Sequence, residues 1–281
     1  YDVSMTGGGT ITTDTTFNNT GTTQFGDASA DSIAFNGGVT ANSGAITAAG
    51  TISSTNDNIT LGAVTLVSGQ TLTLDSSNTG GGNLSVASIT GVAGGSNEDV
   101  TLESGSGTIS VSGAIGTGIG TLTLQENNVG ATGSASLAGS VTANTLTTFS
   151  RGYDVSMTGG GTITTDTTFN NTGTITIGDG SGDSTTFTGG LDTTAGSTEN
   201  LAGTISATNQ QIDIGAVNIT ADTTLNGGSG TIDVGASTLS DGVTFTVGNG
   251  SSGNIDVTSV TGTASGSCLL YTSDAADDGL S

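Results

Sequence analysis

Triplets in which two apolar residues flank a polar one punctuate the chain: Val3-Ser4-Met5, Ile59-Thr60-Leu61, Leu84-Ser85-Val86, Leu122-Thr123-Leu124 and Ile212-Asp213-Ile214. Alternation at period two sets both apolar side chains on one face of a strand and the polar one on the other. Between the triplets stand Gly, Asn, Ser and Asp, the residues of tight corners. No convincing stretch places apolar residues at i, i+3, i+4 and i+7 over several turns, so the pattern predicts strands and corners without helices.

The pattern repeats at two scales. Tyr1 to Thr22 recurs unchanged as Tyr153 to Thr174. Beyond it the copies stay aligned: Gly26-Asp27 with Gly178-Asp179, Phe35 with Phe187 and, after a one-residue insertion, Ile59 to Val64 with Ile212 to Val217. Apolar and Gly positions persist while polar ones drift, as packing in a duplicated array requires. At the finer scale, triplets starting at Ile59, Leu84 and Ile109 lie 25 residues apart, and those starting at Ile212, Ile232 and Ile255 lie 20 and 23 apart.

Short strands and corners at that period predict an all-β fold, a parallel β-helix (β-solenoid) of roughly 12 coils with about 20–25 residues per coil. Such a rod is about 55–60 Å long. Residues 1–152 form a first repeat block and residues 153–267 a truncated duplicate. The lack of Pro agrees, because strands paired on both edges need every N–H. Tandem immunoglobulin-like sandwiches would bring Pro and Trp, and both are missing.

Composition sharpens this picture. The chain has 50 Gly, 24 Asp or Glu, one Lys or Arg, no His and a net charge of -23. A Gly-rich polar chain is open to disorder, but regular alternation argues for order. Nucleic acid and anionic membranes are bound through Lys and Arg, and Arg151 alone makes no basic patch, so neither is an expected partner. No apolar run approaches the roughly 18 residues of a span, so no membrane insertion of this segment is expected. Residue 1 is Tyr with no charged-then-apolar leader behind it, which suggests a cut piece of a longer protein. A single Cys, Cys268, excludes an internal disulfide and a Cys-based zinc site.

From Cys268 the alternation stops. Cys268 to Asp278, CLLYTSDAADD, resembles the in-frame translation of a transposase adaptor used in preparing sequencing libraries. Residues 268–281 are therefore expected to be adaptor-derived and outside the fold.

Segments such as Gly50 to Leu66, GTISSTNDNITLGAVTL, and Gly178 to Gly190, GDGSGDSTTFTGG, resemble repeats of filamentous-haemagglutinin-like and autotransporter-type bacterial surface adhesins. The resemblance is one of repeat texture and covers residues 1 to about 265. It implies a right-handed β-helix exported across a Gram-negative envelope, extracellular or held at the outer membrane, serving as stalk or adhesion surface toward an unknown host or cell-surface ligand, glycans included. A structural matrix or S-layer-like array element is the alternative. Exposed solenoid ends invite lateral self-association.

Candidate chemistry is sparse. Lyase and hydrolase sites on β-helices combine acids with Arg, Lys or His, and the cationic half is missing here, so no catalytic residues and no enzyme are expected. Asp27-x-Ser29-x-Asp31 and Asp179-x-Ser181-x-Asp183 place oxygens at alternate positions, as calcium loops do. They lack a downstream Glu and equally suit corners, where Asp accepts backbone N–H bonds. No cofactor is expected beyond loose Ca2+ binding. Thr-x-Thr pairs begin at Thr10, Thr71, Thr121, Thr145, Thr162, Thr174, Thr186 and Thr244. Their gaps do not track one coil period, so they are not expected to stack into the flat Thr ladder that ice binding needs.

Overall fold

The polar centre of each triplet faces outward and its apolar flanks fill a continuous interior, so Leu84, Val86, Ile109 and Val111 are wholly buried while Ser85 stays exposed. The computed structural model describes residues 1–76, 80–92, 94, 98–126 and 130–262, and the backbone of 267–270. Its described elements are all strands, and all their pairings are parallel. Each strand pairs with one about a coil later, which makes a β-solenoid with three faces. The first face begins at Val3–Met5, the second at Gly9–Ile11 and the third at Thr15–Phe17.

One inward column defines the first face. It runs from Val3 through Thr23, Ile46, Val64, Ile89, Ile115, Val141, Gly161, Thr185, Ile205 and Leu225 to Val247, which is eleven turns. At about 4.8 Å per turn the rod is about 50 Å long. Turns are less regular than the sequence periods imply: Ile46 to Val64 spans 18 residues and Leu72 to Val100 spans 28.

The third face crosses the boundary between the sequence blocks unbroken, with Ala135 paired to Val155 and Leu137 to Met157. Pairing also continues past the expected boundary at Cys268, since Ser267–Leu270 lies in register with Thr244–Val247. A short β-prone segment adds readily to an open sheet edge whatever its origin. Residues 271–281 lie outside the described residues.

The duplication is not a whole number of turns. Val3-Ser4-Met5 opens the first face, whereas its copy, Val155-Ser156-Met157, lies on the third face six and two-thirds turns later. The second block is thus advanced by two of the three faces. All three faces accept it because all use the same alternation of inward and outward residues.

Identical sequences in different settings act as natural variants. Tyr1 is 87% exposed and Tyr153 0%. The Tyr153 hydroxyl donates to Leu124 O at 3.2 Å and accepts from Phe149 N at 3.0 Å. Burial pushes this phenol up to about 12. In the first copy Thr23 Oγ1 donates to Asn19 Oδ1 at 3.2 Å. The aligned residue in the second copy is Ile175, and Asn171 Oδ1 is buried without a hydrogen-bond partner.

Two devices close the corners. Gly26 takes φ 70°, and a Cβ there would lie 2.2 Å from Ala49 O. Elsewhere a side chain caps the next coil: Asn58 Oδ1 accepts from Asn83 N, and Asn83 Oδ1 from Thr108 N, both at 2.9 Å. Inside, Phe17, Phe25 and Phe35 pack edge-to-face with centroids 5.2 to 6.1 Å apart, a favoured aromatic geometry.

Candidate binding faces

Outward residues stack as strictly as inward ones, because parallel register places like positions about 4.8 Å apart. On the third face the central outward column runs from Thr16 to Thr261 and contains only Thr, Ser and Asn. Three successive rungs are joined: Asn200 Nδ2 donates to Thr176 Oγ1 at 3.4 Å, and Asn218 Nδ2 to Asn200 Oδ1 at 3.2 Å. The corresponding column on the first face, from Ser4 to Asn226, also carries no charge.

The second face changes character along its length. Thr51, Thr73, Thr101, Thr123 and Thr147 pair in direct register. Farther along, Asp192, Asp213, Asp233 and Asp256 form a second in-register column. The expectation that the Thr-x-Thr pairs would not stack is therefore corrected. Thr121-x-Thr123 lies directly against Thr145-x-Thr147, and Thr162 lies against Thr186 on the first face. Unequal coils hid the register, and Asp99-Val100-Thr101 interrupts the motif while its Thr101 continues the column.

The two predicted calcium loops occupy different edges of the prism. Asp27, Ser29 and Asp31 lie in the corner between the first and second faces, and Asp179, Ser181 and Asp183 between the third and first. In each, one carboxylate organises its own corner. Asp31 Oδ2 accepts from Asp27 N and Ala28 N at 2.8 and 2.9 Å, and Asp183 Oδ2 from Asp179 N and Gly180 N, both at 2.8 Å. These backbone donors hold both carboxyls below the ordinary Asp range. Ser29 N and Oγ donate to Gln70 Oε1 at 2.8 and 3.0 Å. Among the described residues no three His, Cys, Asp or Glu side chains gather into a metal-holding group.

Sequence reasoning missed the buried acids. Glu98 is enclosed, with Oε1 accepting from Gly69 N and Oε2 from Val92 N, both at 3.0 Å. Glu199 is wholly buried; Oε2 accepts from Thr193 Oγ1 at 2.6 Å and Oε1 from Gly215 N at 3.0 Å. Burial, with the Asp192 and Asp213 charges adding, pushes the Glu199 carboxyl up to about 7. A shallow groove of about 270 Å³ borders this region, lined by Asp166, Asp192, Asp213, Gln210 and Gln211 among others. Asp213 is raised by its burial and then by Asp192 and Asp233.

Arg151 is used internally: Nη1 donates to Gln125 O at 2.8 Å, and the guanidinium lies 5.2 Å from the Phe149 ring centre. Gln125, also buried, accepts from Ser104 N and Gly105 N at 3.0 and 3.1 Å. Comparison of the chain with protein-family models, curated proteins and solved structures found no match.

Proposed function

We propose that this chain is a non-catalytic repeat segment of a large secreted or cell-surface adhesin, acting as adhesion surface and stalk outside the cell. The supporting observation is the pair of uncharged outward columns. In a chain of net charge -23, the first and third faces keep their central rungs neutral over the length of the rod. Stacking alone does not force this, because the second face accommodates four successive Asp. Neutral columns limit charge repulsion against a negatively charged cell surface and offer hydroxyl and amide groups to neutral glycans.

The test is retention under flow of beads coated with the chain on surfaces bearing neutral glycans. Beads coated with a globular protein of equal negative charge serve as the reference. Retention above the reference supports adhesion, and equal retention overturns it. Ordered two-dimensional arrays of the purified chain in electron micrographs, without retention, would favour the S-layer-like alternative.

A further inference from the structure

We propose that the second face between Thr51 and Thr147 binds the surface of ice. The inference is independent of the adhesion reading and rests on a two-dimensional array. One column is Thr51, Thr73, Thr101, Thr123 and Thr147 in unbroken register. Two residues earlier along the strands runs a second column, in which Thr121 pairs with Thr145. In the coils before, Ala49, Thr71 and Asp99 precede the paired Gly50, Leu72 and Val100, and a register shift between Glu98 and Val100 interrupts this second column at Asp99.

Columns two residues apart are separated by about 6.7 Å, and rungs by about 4.8 Å. That rectangular grid is close to the spacing of oxygen rows on hexagonal ice. A β-branched Thr is stiff at χ1, so methyl and hydroxyl recur at fixed places. Directly beneath, Ile52, Leu74, Leu102 and Leu124 are 0% exposed, which holds the backbone of the array rigid.

The hydroxyls are available. Those of Thr51, Thr73, Thr101, Thr123 and Thr147 make no hydrogen bond to the protein among the described residues. Asp99 is the one acid within the two columns, and its Oδ1 is engaged by Thr121 N at 2.7 Å. A dense charged array would hold its own disordered hydration; on this face one begins at Asp192, and nearer the Thr column the acids are Asp99 and the in-register pair Asp75 and Glu103, of which Glu103 is buried. Neutral, stiff and periodic hydroxyls instead fit a partner that is itself a neutral lattice of hydrogen-bonding oxygens.

The experiment uses the full chain and ice as the probe, reading the gap between melting and freezing points together with recrystallisation of fine-grained ice. The wild-type chain is expected to open a freezing gap and arrest grain growth. The pair Thr101→Lys and Thr123→Lys, both outward-facing, should abolish most of both effects. The pair Ser110→Lys and Ser136→Lys on the third face should leave them intact at equal charge change, with far-UV circular dichroism verifying both folds. Should the double variant unfold, Thr123→Gln alone is expected to reduce the gap at least twofold. A wild-type chain indistinguishable from an inert acidic protein overturns the proposal. So does equal loss in the two double variants, or retention on crystalline cellulose without any effect on ice.

Discussion

Glu199 sits at a position where its strand neighbours in the coils before and after are Ile175 and Val217. Its carboxyl, pushed from 4.5 up to about 7 by burial, makes the folded chain bind a proton more tightly than the unfolded chain. The linkage sign is therefore opposite to that of a salt-bridged acid. Stability from this group is fully present below about pH 4.5, declines as pH rises and levels off above about 7. At 1.36 kcal/mol per unit the loss approaches about 3 kcal/mol as a ceiling. Glu199→Gln removes the ionisable group and keeps an oxygen for Gly215 N, while Thr193 Oγ1 turns to accept from the new amide. The variant should match wild type at pH 4 and exceed it at pH 8 by about 1–3 kcal/mol, or several degrees in Tm. Thermal melts followed by far-UV circular dichroism at both pH values measure this. Shared contributions from Asp31 and Asp183, which do not act on Glu199, cancel in the difference between the two proteins. A variant as pH-sensitive as wild type, or one weaker at pH 8, would refute the reasoning.

Other consequences follow from the natural variants. Tyr153→Phe strands Leu124 O and Phe149 N and should cost about 1–2 kcal/mol, whereas Tyr1→Phe, at an exposed side chain, should cost nothing measurable in the same denaturation assay. Thr23→Val removes the hydroxyl that pairs with Asn19 and should cost about 1–3 kcal/mol; Ile175→Thr supplies the missing partner for Asn171 and should cost less than Ile205→Thr in the same core. Gly26→Ala places a Cβ against Ala49 O at positive φ, with an expected loss of about 2 kcal/mol or more. Asp31 and Asp183, whose carboxyls are lowered by corner N–H bonds, contribute stability above their unfolded range near 3.8 that is lost as pH falls below it. Asp183→Asn should therefore flatten the acid limb of a stability profile.

The β-solenoid was legible in the chain because period-two triplets such as Leu84-Ser85-Val86 carry their facing information locally. What the sequence obscured was register. Thr71, Thr121 and Thr145 begin pairs 50 and 24 residues apart, which are two turns and one turn of the same face once corners of unequal length are known. Glu199 escaped notice for the same reason. Its triplet, Glu199-Asn200-Leu201, reads as polar until pairing with Ile175-Thr176-Ile177 places its first residue inward. A Glu standing where the aligned coil has Ile was the available signal. The Asp27 and Asp179 corners were readable as corners, since Asp beside Gly satisfies backbone donors over short range.

The two-thirds of a turn left over by the duplication bears on how such rods grow. If only whole coils could be copied, every recombination joint would have to fall at the same point of the circumference. Here the interchangeable module is one strand with its corner, which triples the number of joints that preserve the core. A gene lengthened this way deals each surface motif to successive sides of the rod in turn. The segment Tyr153–Thr174 already presents on new faces what Tyr1–Thr22 presents elsewhere, so lengthening by duplication also spreads one motif around the circumference without changing a residue.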